Sequence, residues 1–185
     1  MAKTGRKFGW RGLMVVVVLI AAYRVSTHGQ VPGIVRTPAA ASDARVRAED
    51  PALSTLIREA IDQSATFRRL VQEIQSTDGI VFVVRGQCGH GVRACLVLWM
   101  AAAGPNRMLR VVVDSTRRAD IETMASLGHE LRHALEVLAH SSVRTGGGMF
   151  QLYSHRGTVQ GVFETEEAIK AGDAVYVELK RRRTN

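Results

Sequence analysis

Three short apolar runs set the frame into which this chain must fit. IVFVVRGQC (80–88), ACLVLWMAAA (94–103) and RMLRVVVDS (107–115) are apolar runs, the first and third rich in β-branched residues, and the breaks TDG, GHGVR and GPN precede them in turn. Runs of that length and composition read as strands. GHGVR is short enough that the first two runs are expected to form a hairpin, and GPN turns the chain into a third strand. Helical spacing lies on both sides of this block. From Pro51, apolar residues recur at Leu53, Leu56, Ile57, Ala60, Ile61, Phe67, Leu70, Val71 and Ile74, with a break expected near Gln63–Ala65. A second helix is expected over roughly Ala119 to Ala139. Asp114, Ser115 and Thr116 are placed to cap it, and Asp120 and Glu122 suit its first turn. A polar, glycine-rich loop follows (140–161), then a last helix beginning near Phe163. The fold class is therefore α+β: an N-terminal helix, a three-stranded sheet, a motif helix and a C-terminal helix. With 185 residues, one domain over 51–185 is the expectation.

The motif helix carries SLGHELRHALEVLAH, from Ser126 to His140. His129 and His133 are four apart, so their rings leave one face of a helix, one turn above the other. Two imidazoles so placed can reach one tetrahedral ion at about 2.0–2.1 Å, the usual zinc–nitrogen distance. Glu130 is rotated off that line, where it can address a water as general base instead of ligating. A catalytic zinc site needs a third protein ligand and an open position. The helix continues past His133, so the third ligand is expected from elsewhere. In FETEEAIKAGDAVYVEL, residues Glu164, Ala168, Ala171, Val175 and Leu179 share one face, small near its start and able to pack closely. Glu164 leads that apolar face and is the expected ligand. Glu136 is the competitor, seven residues after His129. It reads as an acceptor for the free ring nitrogen of a ligating histidine or as a partner for an arginine. His140 is one residue off the longer motif with a third histidine, so that pattern is disfavoured.

With these residues in place the chain resembles the zincin metallopeptidases, and among them the gluzincin type, whose third ligand is a glutamate on a later helix. The resemblance spans roughly Arg110 to Val177. It implies a small zincin-like domain holding one Zn²⁺ on His129, His133 and Glu164, with Glu130 as the base that moves a proton from water to the leaving amine. It also implies an edge strand that pairs with extended substrate, for which LRVVVDS is the candidate. Tyr153, His155 and Arg156 precede Glu164 and are the candidate donors to a developing oxyanion. TGGG (145–148) is either a lip over the cleft or a turn-rich connection.

Cys88 and Cys95 bracket a six-residue loop, and in an exported chain they favour a disulfide. With His90 alone beside them, they supply too few ligands for a structural zinc. Export is expected from the first 29 residues. MAKTGRKFGWRG is a positive leader, and LMVVVVLIAA is an apolar run of ten, the length of a signal-peptide core and short of a membrane span. The segment is either cleaved or kept as a membrane anchor, so the body is expected to be periplasmic, secreted or tethered. Residues 30–50, with two prolines and alternating charge, read as a linker.

The formal charge of +8 is concentrated at the ends. Five positive residues lie in the first 29 positions, and Lys180–Arg183 form a basic tail. The body is close to neutral, which argues against a nucleic-acid partner. Membrane contact is expected only through the N-terminal segment or the tail. The expected partner is a peptide or protein substrate. The alternative reading is a non-catalytic cell-envelope binding domain on a zincin-like fold.

Overall fold

The computed structural model describes residues 44–114, 116, 120–155 and 163–184, apart from the side chain of His90. The leader and residues 30–43 of the expected linker lie outside the described residues. Among those described, no helix is long and apolar enough to cross a membrane.

Helix α1 (Pro51–Gln63) starts on Asp50, whose carboxylate accepts from the Leu53 amide at 2.8 Å, with Pro51 in the first turn. It stops at Ser64, an extended residue that caps the next helix, α2 (Ala65–Gln75), by accepting from the Phe67 amide at 3.0 Å. The break expected near Gln63–Ala65 is thus one serine closing one helix and opening another. The serine hydroxyl donates in turn to Glu178 at 2.6 Å, on the last helix.

The sheet has four strands, not three. Val46–Ala48, within the expected linker, forms β1 and pairs with β2 (Gly79–Gly86) in parallel, Val46 opposite Val81. This three-residue edge has too little sequence to show a period. Strands β3 (Ala94–Ala103) and β4 (Asn106–Asp114) complete the order β1-β2-β4-β3. The expected β2–β3 hairpin is not formed. β4 lies between them, parallel to β2 and antiparallel to β3. The tight turn is the later one, through Gly104 at φ 57°, a left-handed position suited to glycine. Burial explains the order. Leu109, Val111 and Val113 of β4 are at most 3% exposed, whereas β3 leaves Leu98 and Trp99 in solvent. The strand able to be covered most fully takes the centre. The β2–β3 connection, with a short 3-10 turn at Gly89–Gly91, carries the disulfide between Cys88 and Cys95.

Helix α3 (Ile121–Leu138) is capped by Asp120, which accepts from the Thr123 amide at 3.0 Å, and not by the Asp114–Thr116 stretch expected to do so. Asp114 instead accepts from the amide and hydroxyl of Thr116. The far end of α3 is closed by Arg107 of β4. This buried guanidinium donates to the carbonyls of Leu138, His140 and Val143 at 2.7, 2.8 and 3.1 Å and is paired with Asp78.

The expected loop after α3 contains a helix, α4 (Gly146–His155). Thr145 accepts from the Gly148 amide to begin it, and Met149 and Tyr153, one turn apart, are buried beneath it. A Cβ at Gly146 would collide with the Leu98 carbonyl, so the TGGG run allows a helix start to press on β3. The last helix, α5 (Glu166–Thr184), buries Ala168, Ala171, Val175 and Leu179. Its closeness to α3 rests on small residues on both sides: Val175 fills the space above Gly128, and a Cβ on Gly172 would lie 3.2 Å from the Cβ of His129.

Candidate metal centre

The close approach of α5 to α3 brings the start of α5 over the histidines. His129 Nε2 and His133 Nε2 are 3.1 Å apart. Glu164 places Oε2 at 3.3 Å from His129 Nε2 and Oε1 at 3.9 Å from His133 Nε2. One ligand atom from each of the three residues falls within 4.8 Å of the other two. Glu164 is not part of the last helix, as its place on the apolar face implied. It precedes α5, and Thr165 caps the helix by accepting from the Ala168 amide at 3.2 Å. Freed from helical backbone, the glutamate can turn toward the histidine pair.

Glu136 holds this arrangement from behind. Its Oε2 lies 3.1 Å from His133 Nδ1, and its Oε1 accepts from the Thr165 hydroxyl at 2.7 Å. With the Nδ1 proton given to Glu136, the lone pair of His133 is on Nε2 and faces the cluster. Burial pushes the Glu136 carboxyl up, but the bonds from His133 and Thr165 outweigh it and hold it below its ordinary value. For His133, burial lowers the pKa, and the Glu136 bond with the surrounding carboxylates raises it further than burial lowers it. His129 is pushed below its usual value, first by burial and then by the charge of His133.

Glu130 lines the same cavities as the histidines and accepts from the Leu96 amide of β3, at the sheet edge, at 2.7 Å. Burial drives its carboxyl up to about 7 against the pull of His133 and of that bond. The edge strand beside the site is therefore β3. LRVVVDS, expected at the edge, is the inner strand β4. Tyr153 is buried and donates its hydroxyl to the His133 carbonyl at 3.0 Å, with its ring edge-on to the imidazole. Its visible work is to position His133. His155 is exposed, bonds to the Gln151 carbonyl at 2.7 Å, and is not among the groups that meet at the cluster. Arg156 lies outside the described residues.

Two cavities flank the cluster, and Val92, Ala94, Glu130 and Glu164 line both. One, about 410 Å³, reaches His129, Glu122, Ser126 and Asp173. The other, about 510 Å³, reaches His133, Leu96, Leu98, Tyr153 and Phe163.

Sequence reasoning missed Thr165 and the Leu96 amide. Thr165 had a readable signal, a threonine directly before two glutamates at a helix start. The Leu96 amide had none, because strand order decides which backbone is left at an edge.

No protein-family model, curated protein or solved structure matches the chain. The donor set itself supplies the fit test. Four ligands at about 2.0–2.1 Å from a tetrahedral ion stand about 3.3 Å from one another. The His129–His133 spacing of 3.1 Å and the His129–Glu164 Oε2 spacing of 3.3 Å lie close to that edge length; the 3.9 Å to His133 is from the other carboxylate oxygen, and with one atom from each residue the three lie within 4.8 Å of one another. Two imidazoles and a carboxylate suit zinc, and the cavities on either side leave the fourth direction open. The residues fit a zinc ion.

Proposed function

We propose that this chain is an exported zinc-dependent metallopeptidase of the gluzincin type, with a small zincin-like domain. The observation that carries the reading is the gathering of His129, His133 and Glu164 ligand atoms within 4.8 Å of one another, with Glu130 beside them and bonded to an edge strand. The Cys88–Cys95 disulfide supports the exported setting.

His129, His133 and Glu164 would hold the ion. Bound zinc supplies Lewis acidity, lowering the pKa of a coordinated water toward about 7 and polarising a carbonyl. The chain's own part is proton traffic and geometry. Glu130, poised near 7, takes a proton from water and delivers it to the departing nitrogen. Water's hydroxyl ends on the carbonyl carbon, the C–N bond breaks, and the amine leaves protonated. Glu136 and Thr165 fix the His133 ring and the Glu164 backbone together, so the ligand atoms stay aligned.

Elemental mass spectrometry on the purified full chain tests the site, with about one zinc per chain expected and little in Glu164→Ala. Peptide cleavage tests the chemistry, and Glu130→Gln should lower it by about 10²-fold or more. Bound zinc without Glu130-dependent cleavage would favour the envelope binding domain instead. A wild type that takes up no zinc would remove the metal reading altogether.

A further inference from the structure

The sheet has a second face, away from the candidate metal centre. Val81, Val83, Leu109 and Val111 are buried in the core, to which all five helices contribute apolar residues. Alternate residues of a strand point to opposite sides. Phe82, Val84, Met108 and Val112 therefore face the other way, half-buried and outside that core. β2 and β4 are parallel neighbours whose sequences run nearly continuously apolar, the pattern of strands covered on both sides. Among the described residues, the helices pack on one side. A row across the other has a chemistry of its own. Arg47 of β1 stands opposite Phe82 of β2, and Phe82 stands opposite Arg110 of β4. The exposed Arg110 guanidinium lies over the Trp99 ring of β3, 5.0 Å from its centroid, and Trp99 is 40% exposed. Guanidinium and aromatic groups thus alternate across all four strands. Among the described strand residues of this face, the one acid is Asp114, which is buried and accepts from Thr116.

We propose that this face docks on an anionic lipid surface, with Phe82 and Trp99 at the depth of the headgroups and Arg47 and Arg110 on lipid phosphates. The proposal is independent of the peptidase reading. Aromatic rings and arginines share the interfacial zone of a bilayer, because each joins an apolar body to a polar end. Arginine there gains from negative lipid and matches the geometry of a phosphate. Charge disfavours two other occupants. A second copy would bring its own Arg47 and Arg110 to a face without an exposed acid. The chain's own residues 1–43 carry six Lys and Arg against one acid, Asp43. A single-stranded nucleic acid would stack on the two rings, yet Val84, Met108 and Val112 around them offer its phosphates no donor. Helix α3, with the histidine pair, packs on the opposite side of the sheet.

The sequence has two tryptophans, Trp10 and Trp99. In the full chain carrying Trp10→Phe, indole emission comes from Trp99 alone, so the face reports on itself whatever the N-terminal segment does. The probes are vesicles of equal parts phosphatidylglycerol and phosphatidylcholine, and vesicles of phosphatidylcholine alone. Each is made with and without brominated acyl chains, which quench an indole that reaches them. On the anionic vesicles, Trp99 emission should shift to the blue and lose most of its intensity to bromine. Phosphatidylcholine alone should quench far less, and added salt should shrink the difference. Arg47→Glu with Arg110→Glu should cut the quenching about 5-fold or more. Arg110→Gln, a neutral change at an exposed position, should lower it by a smaller step with the fold kept, as circular dichroism would show. Vesicle binding with Trp99 unquenched would assign the contact to the N-terminal segment or the basic tail and overturn the proposal. Quenching that is equal in both lipids, or that survives the charge reversals, would also overturn it. So would a blue shift that grows with protein concentration without lipid, the mark of a second copy, or a stronger response of Trp99 to oligothymidylate than to lipid.

Discussion

Helix α3 carries a buried polar cluster at its C-terminal end and a half-buried one near its middle, and the two are built on opposite plans. At the end, Arg107 donates to three carbonyls within 3.1 Å and to the Asp78 carboxylate, so donors and acceptors match. Near the middle, two imidazole nitrogens and a carboxylate face one another, and a shared proton can serve only one pair at a time. A cation would satisfy all three together. Burying polar groups is costly in both places unless they are paired. The closed cluster finds its partners within the chain. In the open one the three groups face one another, and under the proposed function their common partner would come from outside the chain.

The largest effect should come from breaking the closed cluster. Arg107→Ala leaves Asp78 and the end of α3 without their donor, and should cost about 3–5 kcal/mol in urea unfolding. A loss under about 1 kcal/mol would show that the guanidinium is not what closes the helix. Filling the open cluster should act in the other direction. Zinc at about a hundred times its dissociation constant should stabilise the chain by about 2.7 kcal/mol in thermal unfolding, and Glu164→Ala should cancel most of that gain. Equal stabilisation of wild type and variant would place the metal elsewhere.

A smaller change tests the brace between them. Glu136→Gln keeps the shape but loses the charge facing His133 Nδ1, and should weaken zinc affinity about 10–100-fold by competition with a chelating dye. Unchanged affinity would reduce Glu136 to a packing role. The smallest effect concerns a third cluster, of the closed kind. Glu178 is pushed up by burial, but the Ser64 and Thr66 hydroxyls and the Thr66 amide more than offset this and set its pKa below 4.5. A depressed folded pKa contributes stability that is present above 4.5 and lost as pH falls through the folded value. Glu178→Gln should therefore flatten the acid side of the unfolding profile below pH 4.5, as a series of urea midpoints would show.

Periodicity made the segments legible and left their neighbours hidden. Ser64 could be read as a break because a capping residue acts within three positions of itself. The three long strands were visible as runs, yet their order was not, since apolar pattern says that a strand is buried and not beside what. β1 was too short to carry a pattern, and α4 was masked by three glycines, the first of which allows the close approach to Leu98. At the candidate site, His129, Glu130 and His133 were legible because spacing on one helix fixes direction. Glu164 was reached through a helix face it does not occupy. The residue lies beside the histidines because α5 packs close enough, through Ala171 and Gly172, to carry the preceding loop over them.

One hydroxyl joins two tasks. Thr165 accepts from the Ala168 amide and donates to Glu136, which in turn orients His133. Whatever steadies the imidazole must also slow fraying at the start of α5, and whatever frays α5 must let the imidazole tilt. The Ala168 amide is therefore an isotopic gauge of the distant ring: its deuterium exchange should slow when the histidines are engaged and quicken when they are released, although it touches neither of them.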